Sequence, residues 1–486
     1  MDVQVTKRDW PFLLVCVGLG ILAELSFFHE EIGLSYLVFI AVFYAVFFLR
    51  ISIPFQRRRI GLLLMAAVWL LAGSYLFYNS TLFYPLNLVV IPALVFFHLI
   101  MITSQNKIVW SKPAFLILLI MKLKEAIQYS TRFCIGTVKP MDEGTGKTIK
   151  RIVIGLITGI PLLLVIIGLL MSADKVFQDM ILKLPSFIIR FNFTEELLRL
   201  IVVIVLSLLF FGIFQVLPRR TEIETNNVMN PEKKHIYWDS VIVVTILAML
   251  NLVYAIFVAI QFAYFFGGGL QAELTYAEYA RKGFFELLLV TLINWTLLIF
   301  VLKRVNTPNK AMKLTLKILN TLLIIMSGVM LVSAFGRLSM YEAAYGFTVD
   351  RILAHAFMIF LMVIFAYTFI RVWVERLAIL HFYLITSLLF YVVLNVIHIE
   401  QLIVTNNLER YEQTEKIDIY YLSTLSYTGI EGLIELYKIE PDYPELQRLL
   451  RIEQRKLEMK QPDSWQTFNF KKQEVIEKIQ RLDLEV

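Results

Sequence analysis

Apolar positions in this chain do not alternate; they run on. Eleven long, nearly uncharged stretches match the roughly 17–25 residues a helix needs to cross a hydrocarbon core. They are Trp10–Phe28, Ile32–Phe48, Ile60–Tyr78, Tyr84–Ile102, Ile152–Met171, Leu197–Val216, Ser240–Ala263, Phe284–Val301, Leu314–Phe335, Ile352–Ile370 and Leu377–Ile397. The pattern predicts helices, because lipid offers no partner for a free N–H or C=O and the period-two signature of barrel strands is absent. Pro85 and Pro92 in the fourth stretch predict a helix that starts late or kinks. Lys7 and Arg8 precede the first stretch, but no small-residue cleavage site follows it, so it reads as a retained anchor.

Lysine and arginine then set the orientation. Segments on the N-terminal side of the spans, the linker 103–151 included, hold 25 Lys and Arg, whereas the alternate loops hold 7. This asymmetry predicts a cytoplasmic N-terminus and, after an odd number of spans, an extracytoplasmic tail. That tail, His398–Val486, carries 12 basic against 17 acidic residues, so it reads as a small acidic helical module or, equally, as an extension that packs on the membrane domain. Leu422, Leu425, Ile430, Leu433 and Ile434 recur at helical spacing in it. Asp442 before Pro444, and Asp463 or Ser464 ahead of Val475–Leu482, are the cap candidates. The fold class is therefore an all-α polytopic bundle: a membrane domain, 1–397, and a helical tail, 398–486.

Composition sharpens this. With 58% apolar and 17% charged residues and a mean hydropathy of +0.70, the chain is neither an ordinary soluble domain nor a disordered one. Two cysteines exclude a disulfide-stapled ectodomain. The net charge of +7 combines a basic membrane part with the acidic tail, so it signals loops beside a bilayer and not a nucleic-acid partner.

Candidate chemistry is sparse. Gly144-Thr-Gly-Lys147-Thr148 lacks the first glycine of a phosphate-binding loop, since Met141 stands there, and no strand precedes it. His29-Glu30-Glu31 and His398-Ile-Glu400 lack zinc spacing, and His98 and His355 read as packing residues within spans. No residue is assigned to catalysis, a cofactor or a metal. Glu24 and Glu286 are the carboxylates inside spans, each read as a boundary group paired with an arginine or, alternatively, a proton or cation site. Asn251, Gln261, Asn294 and Asn320 complete the intramembrane polar set.

The alternate loops are richer. After Gly267-Gly268-Gly269, Thr275-x-x-Glu278 predicts a helix from Tyr276 with Glu278, Lys282 and Glu286 on one face and Tyr279 and Arg281 beside them. Ser339-x-x-Glu342 is a second capping box, followed by Tyr341, Tyr345, Gly346, Thr348 and Arg351, with Thr348 a cap for the tenth span. The two loops bring tyrosines, carboxylates and arginines to one depth, as a site for a headgroup, a peptide or the protein's own tail, or as a plain aromatic belt.

These residues carry a resemblance. Tyr276-Ala-Glu278-Tyr279-Ala-Arg281-x-Gly283-Phe284 resembles the signature of a bacterial multi-pass membrane family classed as a domain of unknown function. Tyr341-Glu342-x-x-Tyr345-Gly346-x-Thr348-x-x-Arg351, Asn395, Asn407-Leu-Glu-Arg410-Tyr411 and Asp418-x-Tyr420-Tyr421-Leu422-x-x-Leu425-Ser426 are similar to its later blocks. The resemblance spans about 240–436 and implies a protein of the bacterial plasma membrane; it carries no activity across.

The reading is a non-enzymatic sensor, scaffold or assembly partner that uses no cofactor and whose outer face meets a protein partner or a lipid headgroup. A transporter or flippase lined by the intramembrane polar set is the alternative. A membrane-embedded transferase with Glu278 or Glu342 as base is the third.

Overall fold

The computed structural model describes residues 9–28, 31–51, 57–104, 108–137, 193–219, 238–266, 284–305, 309–459 and 464–482, together with the isolated positions 155, 159 and 163. The span Ile152–Met171 and the stretch Tyr276–Gly283 thus lie essentially outside the described residues. Among the described residues the chain is helical with no strand, and nine helices are long and apolar enough to cross a membrane. The helices fall into two compact units, Met1–Ile223 with Gln461–Gln473, and Glu224–Lys460 with Glu474–Val486.

The first unit holds α1 (Asp9–Phe27), α2 (Leu34–Arg50), α3 (Arg58–Phe77), α4 (Phe83–Thr103), α5 (Pro113–Thr137) and α6 (Phe193–Val216). Helix α2 is the short member at 17 residues. Helices α1 and α6 pack closely because Gly20 leaves no room for a Cβ against the Val203 carbonyl, 2.8 Å from where it would stand. Phe12, Phe43, Phe47 and Phe214 interleave their rings beside this contact. The fourth span does not start late. Pro85 falls in the first turn of α4, where a missing N–H costs nothing, and Pro92 sits inside it.

The stretch 103–151, expected to be a linker, contains α5. Its Lys122, Lys124 and Glu125 mask the helix from hydropathy. Its stripe Phe115, Leu118, Ala126, Tyr129 and Phe133 is buried at helical spacing. Lys122 donates to the carbonyls of Val216 (2.9 Å) and Arg219 (2.6 Å), closing the C-terminal end of α6.

Part of the tail also belongs to this unit. Gly33 and Leu34 donate their N–H groups to the carbonyls of Gln466 and Phe468, both at 3.0 Å. Helix α2 has no side-chain cap, so these bonds satisfy donors its first turn leaves open. Asn469 donates to the Tyr75 carbonyl at 2.8 Å, Lys472 pairs with Glu31 at 3.3 Å and Phe470 stacks on Phe77. The segment therefore straps the α1–α2 turn to the end of α3.

The second unit holds α7 (Ser240–Phe266), α8 (Phe284–Arg304), α9 (Lys310–Tyr345), α10 (Val349–Trp373), α11 (Ile379–Val396) and the tail helices α12 (Ile399–Thr414), α13 (Ile419–Thr424), α14 (Tyr427–Ile439) and α15 (Leu446–Glu458). The final helix is α16 (Phe470–Gln480). Its apolar core comes from α7 to α11, with Leu247, Leu298, Leu323, Ala334, Leu361 and Ile364 fully enclosed. At 36 residues α9 is roughly 54 Å long, well beyond a hydrocarbon core, so it projects from the membrane.

The second capping box starts no helix: Ser339 and Glu342 lie within α9, and the Ser339 hydroxyl bonds back to the Phe335 carbonyl at 3.1 Å. The other caps shift as well. Glu445, not Asp442, precedes α15, and Ser464 precedes a short 3-10 turn. Asn469 caps α16 by accepting from the Lys472 N–H at 3.0 Å.

Candidate functional site

The tail docks on the turn between α9 and α10. Gly346 ends α9 at φ +84°, a conformation that favours glycine, and its N–H closes on the Glu342 carbonyl at 2.7 Å. A Cβ there would also stand 2.7 Å from Asn407 Oδ1. Asn407 of α12 holds the next residue from both sides: its Oδ1 accepts from the Phe347 N–H and its Nδ2 donates to the Phe347 carbonyl, each at 2.9 Å.

One turn along α12, Arg410 donates to the carbonyls of Ala343 (3.1 Å) and Ala344 (2.7 Å), and to that of Lys416 (2.9 Å). A guanidinium at the last carbonyls of a helix satisfies open acceptors and meets the negative end of the dipole. Arg351 donates to the Gly346 carbonyl and covers the Tyr341 ring at 4.4 Å. Thr348 occupies the cap position of α10 without a side-chain cap bond; the Val349 N–H donates instead to the Tyr421 hydroxyl at 2.8 Å. Burial raises the Tyr421 phenol above its ordinary range.

Behind the clamp the tail packs tightly on itself. Buried Glu400 accepts from the Ser426 N–H at 3.1 Å and from its hydroxyl, anchoring the start of α14. A Cβ on Gly432 would meet Val404 at 2.7 Å, and one on Gly429 would run into the Leu422 carbonyl. Leu422, Leu425, Ile430, Leu433 and Ile434 are all buried here.

A cavity of about 600 Å³ opens beside the clamp. Tyr345, Tyr420 and Tyr443 line it with two cations, Arg410 and Lys416, and two carboxylates, Asp418 and Glu445. Tyr345 and Tyr420 are more than half exposed. Such a cavity offers aromatic faces and hydrogen-bonding groups of both signs.

A family model described as a domain of unknown function, DUF4153, matches residues 65–436. The chain belongs to the DUF4153 family. No curated protein and no solved structure matches it. The DUF4153 match runs from within α3 to within α14, so it takes in the clamp and stops before α15.

The expected recognition residues of this DUF4153 chain divide into groups. Tyr276, Glu278, Tyr279 and Arg281 lie outside the described residues. Glu286 is exposed on α8. Tyr341, Arg351 and Arg410 belong to the clamp, and Tyr345 faces the cavity. Glu342 is buried and turned to His355, whose Nδ1 lies 3.1 Å from its carboxylate. Asn407 and Tyr421 stood in the quoted motifs but not among the predicted site residues.

The described intramembrane polar residues fall in both units, and the Gln261 side chain lies outside the described residues. Glu24 pairs with Arg199 at 3.7 Å in the first unit. In the second, the Tyr254 hydroxyl donates to Asn294 Oδ1 and Asn294 Nδ2 donates to the Ser327 hydroxyl, both at 2.9 Å, linking α7, α8 and α9. Asn251 donates to the Leu319 carbonyl at 3.1 Å, whereas Asn320 bonds within α9 to Leu316 at 2.8 Å. All three asparagines are buried, so they act as struts between and along helices. His98 is likewise a packing residue, 2.8 Å from the Tyr44 hydroxyl.

Proposed function

We propose that this integral membrane protein is a sensor, scaffold or assembly partner of the bacterial plasma membrane. Its N-terminus is cytoplasmic, and the clamped tail and the α9–α10 turn form one recognition surface outside. The orientation rests on the 25-to-7 partition of Lys and Arg between alternate loops. The strapping of residues 466–472 to the α1–α2 turn and the end of α3 supports a tail opposite the N-terminus, one span away.

The observation that carries the recognition reading is the clamp itself. Asn407, Arg410 and Tyr421 fix the tail to the turn and thereby hold the tyrosine-lined cavity in one geometry. A pre-organised cavity with charges of both signs at its rim suits a protein segment or a lipid headgroup. A photo-crosslinking residue at Tyr345 or Tyr420 in native membranes tests this. One discrete adduct common to both positions, lost when Lys416 and Asp418 exchange charge, supports the reading; its survival after that exchange contradicts it.

A transporter or flippase, the alternative, needs a polar route, and the helix-tying hydrogen bonds of Asn251 and Asn294 do not favour one. A membrane-embedded transferase is the second reading, on the contact of Glu342 with His355.

A further inference from the structure

Three side chains near the projecting end of α9 meet in an order that has a chemical meaning. His355 of α10 places Nδ1 3.1 Å from the Glu342 carboxylate and Nε2 3.2 Å from the Ser339 hydroxyl. Glu342 is buried and His355 is largely enclosed, while Ser339 is half-buried. A buried carboxylate beside Nδ1 favours the tautomer with the proton on that nitrogen, which leaves the Nε2 lone pair facing the hydroxyl. The arrangement is nucleophile, base and orienting carboxylate, recognised by geometry and not by chain order. The Phe335 carbonyl can only accept: at 3.1 Å from Oγ it is a second acceptor for the Ser339 proton, and at 3.3 Å from Nε2 it accepts from that nitrogen once the ring has taken a proton there. Moving the Ser339 proton between Nε2 and that carbonyl takes only rotation about the Cβ–Oγ bond.

The depth is informative too. The apolar run of α9 ends at Phe335, and Ser339 lies four residues, roughly 6 Å, beyond it. That is the boundary zone, where the ester groups of an amphiphile sit between its chains and its head.

We propose that Ser339, His355 and Glu342 form a nucleophilic centre that takes an acyl group from the ester of an amphiphile. Ser339 Oγ attacks the ester carbonyl and its proton passes to His355 Nε2. The carbon–oxygen bond to the alcohol breaks, and the departing alcohol takes that proton. Glu342 holds the ring and balances the transient imidazolium. Water, or a second hydroxyl compound deprotonated by the same nitrogen, then releases the acyl group from Ser339. The N–H groups around Ser339 belong to the α9 ladder, so the main chain supplies no ready oxyanion donors and the step is slow. This goes beyond the recognition reading and stands without it.

The test is covalent capture by an alkyl fluorophosphonate, with the full-length protein in nanodiscs. The phosphorus–oxygen bond forms at Ser339 as fluoride leaves. Peptide mass spectrometry is expected to find the adduct on Ser339, and Ser339→Ala to lose it without a change in melting temperature. His355→Gln is expected to slow capture about 100-fold. Should that variant fail to fold, Glu342→Gln keeps the carboxylate's shape and is expected to slow capture at least about tenfold. No adduct on Ser339 in folded protein, or capture at an unchanged rate in Glu342→Gln, overturns the proposal and leaves the three residues a tie between α9 and α10.

Discussion

Asn407 grips the backbone of Phe347 on both edges, donating to its carbonyl and accepting from its N–H at 2.9 Å each. One side chain thereby completes the α9–α10 turn, and it comes from the tail, 60 residues away. Replacing it with alanine leaves a part-buried donor and acceptor open. Asn407→Ala is expected to destabilise the second unit by about 1–3 kcal/mol, read as a fall in melting temperature in detergent. Gly346→Ala should act in the same direction through its positive φ and the approach of Asn407.

Glycines in the tail and in the spans should respond differently. Gly429→Ala drives a Cβ into the Leu422 carbonyl and Gly432→Ala drives one into Val404, so both should loosen α14. Gly328 and Gly336 in α9 have open space around a Cβ. Alanine there should be neutral or stabilising by up to about 1 kcal/mol through helix propensity. Limited proteolysis of the tail separates the two classes.

Two asparagines at membrane depth discriminate a strut from a transport path. Asn294→Leu removes bonds to Tyr254 and Ser327 and should destabilise by about 1 kcal/mol. Asn320→Leu removes a bond within its own helix, from a residue whose Oδ1 has no donor among the described residues, and should be neutral or stabilising. Steric-trapping or denaturant unfolding in bicelles checks the contrast. A path lined by both would lose transport in either variant at unchanged stability.

A charge cluster at the other end of α9 gives a pH dependence. Glu375 accepts from Lys313 at 2.8 Å and is bonded by Lys317 at 3.0 Å, and these lysines hold its carboxyl below its ordinary 4.5. A depressed folded value means stability that is present above about pH 4.5 and lost as pH falls through that lower value. The groups are exposed, so the gain is under about 1 kcal/mol and salt weakens it. Melting curves of wild type and Glu375→Gln should converge at acid pH.

The spans were legible because bilayer thickness and hydropathy fix them with no tertiary information. Among the eleven segments, ten fall on described apolar helices. Helix α5 was hidden because Lys122, Lys124 and Glu125 lower its hydropathy, although Phe115, Leu118, Ala126, Tyr129 and Phe133 kept helical spacing. The capping box at Ser339 and Glu342 misled because its residue types fit a helix start, while an uninterrupted apolar face carried α9 past it. Tyr345 and Arg410 stand out in the sequence as aromatic and charged groups near span ends, but the contacts that build the clamp do not. Asn407 and Tyr421 act across 60 and 72 residues, and no local pattern encodes such a pairing. His355 reads as a packing residue in the sequence because Glu342 and Ser339 lie 13 and 16 positions away, on the neighbouring helix.

In the orientation proposed above, the clamp, the cavity and the tail lie outside the cell, and one labelling experiment tests it. Glu412, exposed on α12, becomes the single cysteine in a chain whose Cys16 and Cys134 are serine. A membrane-impermeant maleimide applied to intact cells should label Glu412→Cys as fully as after permeabilisation. Labelling that appears only after permeabilisation would put the tail in the cytoplasm and contradict the account.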